Sequence, residues 1–334
     1  MGRKYLKNEG TDNEAVYLEM TASGIIFEAN FMGDLTVDIE TSNPENEYIT
    51  VVIDGVVNND ISLKRIGNNR KTTVTLARDV QPGLHTVEIY KQSESGRTLL
   101  IYGVGFNGEA SKVAPKNADL LIEFVGDSIT CGNGNLSEKH SNPTGRAQNG
   151  YLAYGTITAN MLGADWSNIS KSGSALVKKP GMGNNHMPTE YERVSIQLGS
   201  YVPYDFENAE RKADIVVVNL GTNDQSLLSS MYGNDQAQKS DFFAKSAESF
   251  ARKIIKKNGD DVNIVFAFGL MTDSVHYMND CYTQVAQKLT DEGYNVWFCP
   301  LPKNTDGGAG HPNVEGDYLA AATLATFIDT NILK

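Results

Sequence analysis

Residues 121–130 read Leu121-Ile122-Glu123-Phe124-Val125-Gly126-Asp127-Ser128-Ile129-Thr130. A mostly apolar run ending in Gly-Asp-Ser has the pattern of a buried strand that delivers a hydroxyl to the edge of a sheet. Strand-like runs recur at 165–169, 215–220, 262–268 and 295–299, the first beginning at 120. Helical periodicity is read over about 150–162, 241–257, 279–292 and 314–333. In the second of these segments Phe243, Ala247, Phe250, Ile254 and Ile255 fall on one stripe. Continuous apolar strands alternating with amphipathic helices predict an α/β domain with a parallel sheet covered on both faces.

Upstream, residues 1–110 carry strand patterns only, at 24–31, 35–41, 48–57, 71–77, 85–91 and 99–106. Thr36-Val37-Asp38-Ile39-Glu40 and Thr86-Val87-Glu88-Ile89-Tyr90 alternate apolar and polar residues. Turn clusters separate the runs: Ser42-Asn43-Pro44, Asp54-Gly55, Gly67-Asn68-Asn69, Gln81-Pro82-Gly83 and Glu94-Ser95-Gly96. Short alternating strands at this spacing predict an all-β sandwich. The expected organisation is a sandwich domain over 1–111, a linker over 112–119 containing Pro115, and the α/β domain over 120–334.

A chain of 334 residues has room for two cores. Its net charge of −12 makes it a poor match for nucleic acid or anionic membrane surfaces. No apolar run approaches the ~20 residues that span a bilayer. The expected partner is therefore a small molecule, with neither nucleic acid nor membrane. Cys131, Cys281 and Cys299 are too few and odd in number for a disulfide framework. Cys131, close behind Ser128, is read as a small buried hydrophobe. The N-terminal residues lack the apolar core of a signal peptide, so the chain as given is expected in the cytoplasm, or outside the cell if a leader has been removed.

Four segments carry candidate chemistry. Gly126-Asp127-Ser128 is equally a turn and a nucleophile at a strand end. Ser170-Lys171-Ser172-Gly173 is a plain loop, or a place where glycine lets an N–H approach a ligand. Gly221-Thr222-Asn223-Asp224 is an Asn/Asp turn or helix N-cap, or it aims the Asn223 amide at a developing oxyanion. Asp306-Gly307-Gly308-Ala309-Gly310-His311-Pro312-Asn313 follows the last strand, which puts His311 on the same sheet edge as Ser128, where it can act as a base. His85, His140, His186 and His276 lie in a sandwich strand, in loops or at element edges. Gly103-Val104-Gly105-Phe106-Asn107-Gly108 matches a dinucleotide fingerprint, but no helix follows, so it is read as the end of the sandwich. No His, Cys or carboxylate cluster has metal-ligand spacing, and no metal or organic cofactor is expected.

Serine after the first strand, glycine after the second, asparagine after the third and histidine before the last helix form an ordered set. It resembles the SGNH (GDSL-like) hydrolase superfamily, and within it carbohydrate esterase family 2, whose members similarly place a jelly-roll-type domain first. Gly-Asp-Ser-Ile-Thr-Cys-Gly-Asn-Gly-Asn, Asn-Leu-Gly-Thr-Asn-Asp and His-Pro-Asn-Val-Glu-Gly carry the likeness over residues 126–316. The resemblance implies a three-layer SGNH-hydrolase domain with a parallel sheet, preceded by an all-β jelly-roll-like sandwich. It implies Ser128 as nucleophile, His311 as general base, and an oxyanion hole built from the N–H groups of Ser128 and Gly173 and the Asn223 side chain. One departure stands out: Gly308 occupies the place of the aspartate that usually orients the histidine. A Ser–His dyad is expected, with Asp306 as a candidate third member. The implied activity is hydrolysis of O-acetyl esters on hemicellulose-derived xylo- or gluco/manno-oligosaccharides. The alternatives are a lipase or thioesterase acting on another acyl group, or an inactive carbohydrate-binding protein.

Overall fold

In the N-terminal half, β1 (Leu6–Lys7), β2 (Ala15–Leu18), β3 (Gly24–Thr41), β4 (Tyr48–Ile53), β5 (Val56–Ser62), β6 (Thr72–Lys91) and β7 (Leu99–Ala110) form one antiparallel sheet, ordered β1-β2-β7-β3-β6-β4-β5. The computed structural model describes all residues except 4, 65, 95–97, 113–116, 143, 182, 184, 196–201 and 272–275. Strand β3 pairs with both β6 and β7, and its register shifts between Phe31 and Thr36. Such bulges bend a strand and sharpen its twist. The sheet curls, and Leu35, Val37, Ile39, Ile49, Val51, Val87, Ile89 and Ile101 share one buried core.

Several strands differ from the sequence pattern. The runs at 24–31 and 35–41 are one strand, β3, and those at 71–77 and 85–91 are one strand, β6. Gln81-Pro82-Gly83 does not end β6: Phe31 pairs with Gly83 and Gly33 with Val80, so Gln81 and Pro82 together oppose Met32. That bulge is where a strand tolerates the missing proline N–H. The run at 48–57 divides instead into β4 and β5 at Asp54-Gly55, whose φ angles of 51° and 77° suit a two-residue hairpin turn. The Gly103–Gly108 segment lies within β7. Of the expected linker, residues 113–116 and with them Pro115 lie outside the described residues, as do Ser95 and Gly96 of the last turn cluster.

The C-terminal half holds β8 (Leu121–Gly126), β9 (Asp165–Ser170), β10 (Ile215–Asn219), β11 (Asn263–Phe268) and β12 (Asn295–Pro300), all parallel, ordered β12-β11-β10-β8-β9. Helices α1 (Tyr154–Met161), α2 (Met187–Glu190), α3 (Asp224–Tyr232), α4 (Gln236–Asn258), α5 (His276–Asp291) and α6 (Val314–Asn331) accompany it. Phe243, Phe250 and Ile254 of α4 and Tyr282 of α5 cover one face of the sheet. Tyr154 and Ile157 of α1 and Ala321, Leu324 and Ile328 of α6 cover the other. The chain leaves β8 for β9 on one side, then crosses to β10 on the other. Open α/β sheets bind ligands beyond the carboxyl ends of the strands at such a reversal.

The two halves share a core. Val52 and Tyr90 of the N-terminal sheet pack in the same apolar cluster as Tyr154 and Trp166. The Tyr90 ring lies 5.2 Å from Tyr151 and 5.3 Å from Trp166. Trp166 Nε1 donates to the Ala22 carbonyl at 3.0 Å, and the buried Arg3 and Glu123 form an ion pair at 3.1 Å.

Candidate active site

Gly126 ends β8 because nothing larger fits: a Cβ there would sit 2.0 Å from Thr130 Oγ1 and 3.0 Å from the Asn219 carbonyl. The chain then turns sharply. Ile129 N–H donates to Asp127 Oδ1 at 3.0 Å and Cys131 N–H to the Asp127 carbonyl at 3.1 Å. The turn holds Ser128 over the end of β8, with its Oγ 2.8 Å from His311 Nε2.

His311 is placed from the other end of the sequence. The Asn313 side chain caps α6 by accepting from Gly316 N–H at 2.9 Å. Asn304 Oδ1 accepts from the N–H groups of Asn313 and Asp306 at 3.0 and 3.1 Å, closing the loop ahead of the helix. This loop rests on the one that follows Ser128: Gly308 N–H donates to the Gly134 carbonyl and Ala309 N–H to the Ser141 carbonyl, each at 2.9 Å. His311 Nδ1 lies 3.1 Å from the Gly308 carbonyl oxygen. A carbonyl can only accept, so Nδ1 carries the proton and Nε2 offers its lone pair to the Ser128 hydroxyl. Burial lowers the His311 pKa from its ordinary value, against smaller upward pulls from the Gly308 carbonyl and the Glu94 charge. Burial thus favours the neutral imidazole, whose free lone pair is on Nε2.

Asp306 is not brought to His311. Its carboxylate pairs with Lys139 Nζ at 2.6 Å in a half-exposed surface bridge and meets Asn304 Nδ2 at 3.5 Å. Asp306 therefore corrects to a surface residue, because the fold of the loop gives Nδ1 to the Gly308 carbonyl.

Gly173 follows β9 with φ +76°, a conformation that favours glycine. Among the described residues, no group accepts from the N–H of Ser128 or of Gly173. Asn223 precedes α3 but its side chain caps nothing. It donates from Nδ2 to Asp127 Oδ2 at 3.0 Å and to the Ser174 carbonyl at 2.9 Å. Both amide hydrogens are thereby engaged, and Asn223 ties the Gly173 turn to the Ser128 turn. Asn133 makes a second tie, N–H to the Ser128 carbonyl at 3.0 Å and Nδ2 to Ser172 Oγ at 3.2 Å.

Two buried carboxyls lie beneath. Burial raises Asp127 to about 7 and Asp224 to about 6. Asp224 accepts from the N–H groups of Leu176 and Val177 at 3.1 and 2.6 Å, anchoring the chain after Gly173. Sequence reasoning missed these supports; the adjacency of Asp127 to Ser128 and of Asp224 to Asn223 was the available signal. Cys131 is fully buried, its thiol donating to Ser170 Oγ at 3.3 Å, and burial pushes its pKa well up. His85 is held by Asp54 at 2.6 Å in the N-terminal sheet, and His186 by Thr189 at 2.7 Å. A cavity of about 520 Å³ opens at the opposite sheet end around Arg3, Glu123, Asp165 and Trp166, and none of the site residues lines it.

Comparison with known proteins identifies both halves of the chain. Residues 10–115 match the carbohydrate esterase 2 N-terminal family model, and residues 122–324, more than half of the chain, match that of the GDSL-like lipase/acylhydrolases. The cellulase/esterase CelE of Acetivibrio thermocellus is 27% identical over 328 residues, 93% of this chain and 37% of that protein. An acetylxylan esterase / glucomannan deacetylase of Cellvibrio japonicus is 28% identical over 232 residues, 65% of this chain and 59% of that protein. The chain thus spans less than two thirds of the length of either relative. A solved family two carbohydrate esterase from Clostridium thermocellum in complex with cellohexaose superposes with a TM-score of 0.85 at 24% identity, covering 99% of this chain and 98% of that one. One from Cellvibrio japonicus gives 0.82 at 21%, covering 99% and 93%. At these identities the structural matches speak for the fold. The family model that covers more than half of the chain decides the family: the chain belongs to the GDSL-like lipase/acylhydrolases, with a carbohydrate esterase 2 N-terminal domain ahead of the hydrolase domain.

Proposed function

We propose that the chain is a serine esterase that removes O-acetyl groups from hemicellulose-derived xylo- or gluco/manno-oligosaccharides through an acyl-enzyme on Ser128. The observation that carries this reading is the 2.8 Å contact between Ser128 Oγ and His311 Nε2, with the imidazole tautomer set by Gly308. As Oγ attacks the acetyl carbonyl carbon, Nε2 takes its proton. The tetrahedral oxyanion accepts from the free N–H groups of Ser128 and Gly173. Asn223 joins them by sharing the hydrogen it otherwise gives to the Ser174 carbonyl. Collapse expels the sugar hydroxyl, which leaves with the proton from His311. Water then attacks the acetyl-Ser128 ester, His311 again taking and returning a proton.

The sugar part of the reading rests on the carbohydrate esterase 2 N-terminal match and on relatives named for acetylxylan and glucomannan. A net charge of −12 suits an uncharged acetylated sugar better than an anionic acyl carrier. The test is acetate release from acetylated xylo- and manno-oligosaccharides. Native protein should release it and Ser128→Ala should not; release by the variant would overturn the assignment. A series of p-nitrophenyl esters should show a steep preference for acetate, whereas a rise with chain length would favour a lipase.

A further inference from the structure

Glu94 belongs to the N-terminal domain, just past the end of β6, yet its carboxylate lies among residues of the hydrolase domain. Oε2 accepts from Ser172 N–H at 3.2 Å, and Oε1 meets Gln148 Nε2 at 3.5 Å. Its backbone is fixed by a fully buried lysine. Lys91 Nζ donates to the Glu94 carbonyl at 2.9 Å, to the Ser93 carbonyl and Oγ at 2.8 and 2.9 Å, and pairs with Glu47 at 3.5 Å. Ser172 immediately precedes Gly173, and through Asn133 it is linked to Ser128.

We propose that Glu94 is a positioning residue of the ester-hydrolysing site: its carboxylate clamps the Ser172–Gly173 turn so that the Gly173 N–H faces the nucleophile. This role rests on the esterase reading. The turn needs a clamp, because Gly173 at φ +76° is a residue whose own conformational freedom fixes nothing. A hydrogen bond to a carboxylate is about twice as strong as one between neutral groups. The Glu94 charge also exerts a small upward pull on the His311 pKa, outweighed by burial.

Full-length native protein, Glu94→Ala and Glu94→Gln test this clamp on p-nitrophenyl acetate, a substrate without a sugar. Glu94→Ala should lower kcat about 10- to 100-fold, the scale on which metal sites lose activity when a hydrogen-bonded partner that orients a ligand is removed, with KM little changed. It should also slow organophosphate labelling of Ser128. Glu94→Gln keeps an oxygen for the Ser172 N–H and should recover most of kcat. A Glu94→Ala protein with native kcat, or a Glu94→Gln protein no more active than Glu94→Ala, overturns the proposal. If Glu94→Ala does not fold, Glu94→Asp takes its place: its shorter side chain draws the carboxylate back from the Ser172 N–H, so kcat should fall, and native kcat overturns the proposal. A native protein that hydrolyses no ester sinks the esterase reading itself, whereas an active native protein with silent Glu94 variants sinks only the clamp.

Discussion

His311 Nδ1 lies 3.1 Å from the carbonyl oxygen of Gly308, three residues earlier on the same loop. A backbone carbonyl thus stands where many serine hydrolases place a carboxylate. It fixes the tautomer and the ring orientation, which is the larger part of what such an acid does. It supplies no full charge, and the imidazolium is correspondingly less supported. Asp306→Ala should therefore leave kcat near the native value. Its half-exposed pair with Lys139 should be worth at most about 1 kcal/mol of stability. A kcat loss of about 10⁴-fold, as when an orienting acid is disabled, would show that Asp306 reaches His311 after all.

Restoring an acid at position 308 should not build a triad. A Cβ on Gly308 would meet Ser137 Cβ at 2.7 Å, Ser137 Oγ at 2.9 Å and the Ser141 carbonyl at 3.2 Å. Gly134 packs back to back with it, its own missing Cβ 2.7 Å from the Gly308 oxygen. Gly308→Asp should destabilise by about 1–3 kcal/mol, the usual cost of overpacking, and lower kcat by moving His311. Urea unfolding with steady-state kinetics checks this; a faster enzyme of native stability would contradict it.

The hydrolase half was readable because parallel strands buried on both faces are continuous apolar runs, and Ser128, Gly173, Asn223 and His311 follow or flank their ends. In the N-terminal half the reading broke where bulges let strands run through turn-like residues, as at Gln81-Pro82-Gly83. Helix α3 was hidden by its polar composition and by Asp224, whose carboxylate reaches back to Leu176 and Val177 instead of signalling a helix start. Asp306 misled because closeness in sequence is not closeness in space. Glu94 left no signal at all, since no local pattern marks a side chain that acts outside its own domain.

The donors of the oxyanion hole should separate by their effect on kcat and KM. Asn223→Ala removes a donor and releases the Ser174 carbonyl, and should cost about 2.7–4 kcal/mol of transition-state stabilisation, mostly in kcat. Gly173→Ala has room for its methyl, the nearest atom being Asn185 Nδ2 at 3.4 Å. Its obstacle is the backbone at φ +76°, which costs an L-residue roughly 1–2 kcal/mol. That variant should fold with reduced stability and turn the N–H away from Ser128. Native kcat in either protein would remove that residue from the hole.

The pH dependence of hydrolysis should report His311. Only the neutral imidazole can take the serine proton, and burial lowers its pKa from the ordinary 6.5. The acid limb of kcat/KM for p-nitrophenyl acetate should therefore fall below pH 6.5. A limb above that value would mean that the Glu94 charge or the Gly308 carbonyl outweighs burial.

Stability should run the other way with pH. Burial raises Asp127 to about 7, Asp224 to about 6, and Asp317 well above its ordinary value, whereas unfolded aspartates titrate near 3.9. Between those values the native state keeps protons that the unfolded chain has released. Folding stability contributed by these groups is therefore full below about pH 4 and is lost as pH rises through the native pKa values. Asp127→Asn removes one of the three and should flatten the decline of the urea midpoint between about pH 4 and 7. It should also lower kcat. Asp127 accepts from Ile129 N–H through one oxygen and from Asn223 Nδ2 through the other, and an amide in its place presents a donor to one of them. Unchanged kcat together with an unchanged pH slope would show that Asp127 neither titrates in this range nor aims Asn223.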